Sequence, residues 1–203
     1  VDGSLAEWAN LPSDRISHQN TCDGKIDGPE DLQGFFWMGY NSSALYVAVG
    51  VVDDVLVAPP SGDLNPLLRA DSVEIEIDPG AAGEDTLSSL KLGIIPQDAS
   101  GRCIALRHAD AQPGWIEAVA PHIEVAAQRT KGGYSVEAAI PVEYLPPIAT
   151  LTQRTAMGFN ILIRDVDTAG TAPGSAAAGA CAAWSAWPGV SSAPHLWGKL
   201  VLE

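Results

Sequence analysis

The sequence predicts an all-β domain, an antiparallel β-sandwich of jelly-roll-like character. Two observations carry this. Apolar and polar residues alternate over short runs, the period of a strand with one face buried. These runs recur along all 203 residues, separated by Gly, Pro, Asn and Ser, with no helical stretch long enough to form a crossover.

In chain order, residues 4–8 have the length of one helical turn. Residues 34–40 and 44–52 form two strands joined by Asn41-Ser42-Ser43, a tight hairpin turn. Residues 58–69 contain Pro59, Pro60 and Pro66 and form a loop. Residues 71–78 alternate cleanly, with Val73, Ile75 and Ile77 on one face and Ser72, Glu74 and Glu76 on the other. Strand runs follow at 88–95, 102–107 and 122–129. Lys131-Gly132-Gly133 then turns the chain into 134–140, where Tyr134, Val136, Ala138 and Ile140 alternate with Ser135, Glu137 and Ala139. Residues 142–145 make one helical turn, stopped by Pro146-Pro147. Residues 156–164 and 197–202 are the last strands. Residues 168–183 are almost wholly Ala, Gly, Ser, Thr and Pro and read as a flexible loop. With no internal repeat, residues 1–203 are read as one domain.

Lys and Arg number 11 against 25 Asp and Glu, a net charge of −14. That balance repels nucleic acid and anionic membranes, and leaves cations and neutral polar ligands as partners. No apolar run reaches the ~20 residues of a membrane-spanning helix. Three cysteines cannot all pair within one chain. The alternatives are a disulfide between Cys22 and Cys181, both in irregular, polar or small-residue segments, or three isolated thiols.

Acidic residues at strand centres are the main clue to chemistry, because β-propensity disfavours them there. A carboxylate-rich sheet face must be wet, paired, metal-bound or ligand-binding. Glu74 and Glu137 are the pair that glycoside hydrolysis would need, if both stood on one face. Nothing in the sequence separates an acid from a base, and no serine-hydrolase, zinc-protease or phosphate-loop motif occurs. At one strand end, Asp53, Asp54, Asp63, Asn65 and Asp71 offer oxygens of the kind calcium collects. The alternative is a solvated acidic rim. Asp165-Val166-Asp167 is a second, weaker cation candidate, read as a turn cap.

The motifs resemble the family 9 carbohydrate-binding modules, β-sandwich sugar binders of the wider DOMON-like superfamily. The resemblance rests on Val1-Asp2-Gly3 with Glu7-Trp8, Leu45-Tyr46-Val47 ending in Asp53, Asp71-Ser72-Val73-Glu74, Glu137-Ala138-Ala139-Ile140-Pro141, Gly158-Phe159-Asn160 with Asp165, and Gly198-Lys199-Leu200. It implies non-catalytic binding of an oligosaccharide or polysaccharide, calcium around Asp53 and its loop, and an extracellular, periplasmic or cell-surface setting, with other domains of a larger protein as partners. It also implies a site in which aromatic rings sandwich a sugar. Trp184 matches one ring, with Trp187 close by, and Glu74 and Lys91 match the polar contacts. Leu67 stands where the other ring is expected, a departure that favours a rival reading: a structural or adhesive module that has lost its sugar. Trp8, Trp37, Tyr46 and Trp197 are read as packing residues, and Trp115 as an exposed contact or a loop plug. A third reading, haem b held through Met38 or Met157, competes with plain packing of both methionines.

Overall fold

The computed structural model describes residues 1–60, 62–63, 65–168 and 179–203. Its strands in chain order are β1 (Asp14–Ile16), β2 (Thr21–Asp23), β3 (Leu32–Tyr40), β4 (Ala44–Asp53), β5 (Ser72–Asp78), β6 (Leu90–Ile95) and β7 (Ile104–Arg107). They continue as β8 (Gly114–Trp115), β9 (Glu124–Thr130), β10 (Gly133–Pro141), β11 (Ala156–Asp165), β12 (Ala180–Ala183) and β13 (Gly198–Val201). Two antiparallel sheets result. One has five strands in the order β1-β3-β4-β10-β9. The other has eight, in the order β2-β12-β11-β5-β6-β7-β8, with β13 also on β11. The sequence expectation of a nearly all-β sandwich holds.

The hairpin at 41–43 shows how local chemistry fixes register. Asn41 Oδ1 accepts the N–H groups of Ser43 (2.8 Å) and Ala44 (2.9 Å), a side-chain mimic of a backbone turn. Tyr40 is thereby held opposite Leu45, and Leu45, Val47, Val49 and Val51 all point inward. They meet Val73, Ile75 and Ile77 of β5, and Phe159, Ile161 and Ile163 of β11. These side chains are almost fully buried, so truncating one such as Ile75 costs about 2–5 kcal/mol. Met157 is fully buried in this core and Met38 packs against it.

The outer face of the five-stranded sheet is closed by the N-terminal segment, and this explains Glu137. Its Oε2 accepts the Asp2 and Gly3 N–H groups (both 2.8 Å), and its Oε1 accepts Trp8 Nε1–H (2.6 Å). Ser135 Oγ donates to the Gly3 carbonyl (2.6 Å). Trp37 lies in the same cross-strand row as Glu137, and Tyr46 is on the same side, so both belong to this outer face and not to the intersheet core. At Gly3 (φ +83°) a Cβ would stand 2.7 Å from the Ala127 backbone, so only glycine lets the segment lie this close.

Four of the strands, β1, β2, β8 and β12, lie outside the sequence expectation. β1, β2 and β8 are too short to show a period. The expected loop at 168–183 is corrected at its end: β12 occupies Ala180–Ala183, and residues 169–178 lie outside the described ones. β12 carries the Cys22–Cys181 disulfide, with Cα atoms 5.4 Å apart, tying it to β2. Cys103 is a free, partly buried thiol pushed up to about 11 by burial and by Glu117.

Candidate functional site

Two clusters of ionisable groups stand out. The first lies where β4 and β11 end and β5 begins. Asp53, Asp71 and Asp165 are all buried, and one carboxylate oxygen from each lies within 4.8 Å of the others. Asp71 is held by two backbone N–H groups, of Val57 and of Val166 (2.7 Å). Asp53 Oδ1 accepts the Val55 N–H (2.8 Å). Asp53 Oδ2 and Asp165 Oδ1 are buried without a hydrogen-bond partner. Burial pushes Asp53 up to about 6, with Asp54 adding repulsion. Burial and the neighbouring Asp53 push Asp71 up to about 8, and burial and Asp167 do the same for Asp165. Bare carboxylates this close and this dry are costly unless protonated or neutralised.

The set is all oxygen, with no His or Cys among its members, and so suits a hard cation such as calcium over zinc. Of the expected oxygen donors, Asp53 and Asp71 are brought together here. Asp165, read from sequence as a separate turn cap, completes the cluster. Asp54 instead joins Asp31 and Asp167 in an exposed acidic group. Asp63 and Asn65 are directed elsewhere: Asp63 caps the Asn65 N–H (2.9 Å) and lies 3.4 Å from Arg69 Nε, while Asn65 precedes the short turn Pro66–Leu68.

The second cluster lines the outer face of the eight-stranded sheet. The alternation in β5 puts Glu74 and Glu76 there, and both are buried. Arg164 Nη2 donates to Glu74 Oε1 (3.0 Å), and His108 Nε2 lies 3.1 Å from Glu74 Oε2. Burial opposes ionisation of Glu74, but the His108 contact and the Arg164 charge outweigh it and hold the carboxyl well below its usual range. Arg164 and His108 keep 17% and 21% of their side chains exposed, so the clamp is open on its outer side. Two residues along β5, Lys91 Nζ pairs with Glu76 Oε1 (3.0 Å), while Asn160 Nδ2 donates to Glu76 Oε2 (3.3 Å). Burial pushes Glu76 up to about 7 against the pull of Lys91.

Three expectations for this face need correction. Lys91 does not reach solvent: it is 2% exposed, and its Nζ donates to the Ser191 carbonyl and hydroxyl. Trp184 is no open platform. Its ring meets Phe36 and Phe159 edge-on at 5.7 and 6.0 Å, and a Cβ at Gly198 would stand 2.2 Å from it. Glu74 and Glu137 do not share a face; they sit in different sheets, and both oxygens of Glu137 are taken. Trp187, by contrast, is 57% exposed on the segment whose Ser185 bonds Asn160 and whose Ser191 caps Lys91. Leu67 lies flat on Gly93, where a Cβ would come within 2.4 Å of it, and packs with Ala70 and Ile95. Sequence reasoning missed His108 and Arg164; the signal was Arg164 standing two positions along from Leu162, the residue opposite Glu74.

The family model for the carbohydrate family 9 binding domain-like group matches residues 1–203. No relative among curated proteins matches. A family 9 carbohydrate-binding module from Caldicellulosiruptor kristjanssonii in complex with glucose superposes with a TM-score of 0.72 at 21% identity, covering 100% of this chain and 90% of that one. The cellotriose complex of such a module from that organism gives 0.70 at 22%, covering 100% and 88%. A putative carbohydrate-binding protein from Bacteroides uniformis gives 0.67 at 13%, covering 100% and 93%. With the family model spanning every residue and the sandwich shared, the chain belongs to the carbohydrate family 9 binding domain-like family.

Proposed function

We propose that the protein binds a neutral oligosaccharide without cleaving it, on the outer face of the eight-stranded sheet. The observation that carries this is the Glu74 clamp. A buried carboxylate orients Arg164 and His108, whose outer edges stay exposed and can hydrogen-bond with sugar hydroxyls. Trp187 supplies an exposed ring on the bordering segment. The solved relatives in complex with glucose and with cellotriose support the ligand class. The open groups around Glu74 are donors held by one carboxylate, not two carboxylates flanking a bond, which supports binding over hydrolysis.

Calcium at Asp53, Asp71 and Asp165 would neutralise the dry carboxylates and tie β4 of one sheet to β5 and β11 of the other. The Cys22–Cys181 disulfide supports an oxidising, extracytoplasmic setting. Titration of cello- and xylo-oligosaccharides by calorimetry in calcium tests the reading. Binding in the 10⁻⁴ to 10⁻³ M range, about −4 to −5.5 kcal/mol, is expected, weakened about tenfold by His108→Ala. Absence of heat at millimolar sugar, in calcium, would favour the structural-module reading, for which Leu67 packed on Gly93 is the specific observation.

A further inference from the structure

We infer that the chain carries a second neutral-sugar site, built on Trp115 and separate from the Glu74 clamp. The inference rests on the sugar-binding reading above and adds a location and a residue to it. Cross-strand register places the site. Glu74 lies opposite Gly93, Gly93 opposite Leu106, and Leu106 opposite Trp115, so all four positions share the outer face of the eight-stranded sheet. Three strand spacings separate Glu74 from Trp115, about 14 Å. Leu67, seated on Gly93 and against Leu106, stands between them as a wall. What lies beyond the wall is therefore not part of the clamp.

Beyond it is a cavity of about 580 Å³, inside the ~300–1,000 Å³ range of small-ligand sites. Ile104 and Pro66 line its apolar side, and Trp115, 44% exposed, borders it. A two-residue strand holds the Trp115 backbone, and the ring has no aromatic partner among the described residues. A partly exposed indole at a cavity wall suits stacking on the flat face of a pyranose. The polar lining is preorganised. Asp98 Oδ1 accepts Ser100 Oγ–H (2.6 Å) and the Arg102 N–H (3.0 Å), and its Oδ2 pairs with Arg102 Nη2 (3.0 Å). Asp63 and Glu117 add two further carboxylates. The three carboxylates accept from sugar hydroxyls, the Arg102 guanidinium donates to them, and the excess of acids over bases repels uronic acids, so the ligand is a neutral saccharide.

The test is a titration of the isotope-labelled, calcium-loaded protein with cellotriose, and in parallel with an oligogalacturonate, read by amide and indole NMR shifts. Saturating shifts of the Trp115 indole N–H and of Ser100 and Arg102 are expected with cellotriose and not with oligogalacturonate. Trp115→Ala should weaken that response at least tenfold and Trp115→Phe less. The His108 and Arg164 response should be unchanged in both variants. Shifts confined to His108, Arg164 and Trp187 would overturn the second site and leave the clamp standing. An equal response in Trp115→Ala, or a stronger one to oligogalacturonate, would also overturn it. No shift anywhere at tens of millimolar would overturn both.

Discussion

Without a cation, the Asp53–Asp71–Asp165 cluster should make the fold lose stability as pH rises from 6 to 8. Burial first, then repulsion from neighbouring carboxylates, raises these carboxyls to about 6, 8 and 8. An acid whose folded pKa exceeds its unfolded value takes up a proton on folding. Its contribution is fully present below the unfolded pKa and is lost as pH climbs through the folded one. Each proton taken up lowers the unfolding free energy by about 1.4 kcal/mol per pH unit. The three groups share one site, so a net uptake of one proton is the sound figure. Between pH 6 and 8 that amounts to about 3 kcal/mol, or roughly 6–12 °C in Tm for a chain of this size. A cation that binds only the folded state at a hundredfold excess over its Kd restores about 2.7 kcal/mol. Thermal melts followed by circular dichroism at pH 6, 7 and 8, in chelator, calcium or magnesium, measure this. The slope should be steep in chelator and shallow in calcium, with magnesium less effective because it resists giving up its waters. A Tm that rises from pH 6 to 8 in chelator, or coincident calcium and chelator melts at pH 8, would refute the reasoning.

Further outcomes follow from the other clusters. Glu74→Ala leaves Arg164 and His108 without their shared partner and should destabilise by about 3–5 kcal/mol in denaturant melts, while also abolishing sugar binding at the clamp. Trp8→Phe removes the donor to Glu137 Oε1 and should cost about 1–3 kcal/mol by the same assay. Replacing Cys22 and Cys181 together with Ser opens a loop closed across 159 residues, and should lower stability by up to about 5 kcal/mol relative to the oxidised protein.

Much of this architecture was legible in the sequence, because a period of two names the buried face of each strand. The alternation puts Val73, Ile75 and Ile77 on one face, and in the structure that face is the inward one. The same period does not say which sheet a strand joins. Glu74 and Glu137 therefore looked like neighbours when one is clamped by Arg164 and the other holds down the N-terminal segment. Asp165 was hidden for a related reason: its partners come from β4 and from the residue before β5, so the β5–β11 pairing sets it beside Asp71 and the packing of the two sheets brings Asp53 to both. Trp184 misled because an aromatic near the last strand can face either way, and its real partners, Phe36 and Phe159, come from two different sheets. β12 escaped notice because Ala180–Ala183 holds no β-branched or aromatic residue, and its pairing to β11 and its disulfide make it a strand despite its composition.

The edges of the two sheets bear on how the molecule behaves in crowded company. β1 and β2 offer three residues each and β8 only two, so three of the four ends of the ladder order are too short to recruit a foreign strand. The fourth, β9, runs for seven residues and would be the natural place for another chain to add itself. It carries Glu124 and Arg129 exposed, and the chain's own beginning crosses it, with Gly3 against Ala127 and the Asp2 carbonyl accepting from Gln128. Glu137, by fastening that crossing segment, thus also guards the longest of the four ladder ends, a border at which copies of this protein could knit into aggregates.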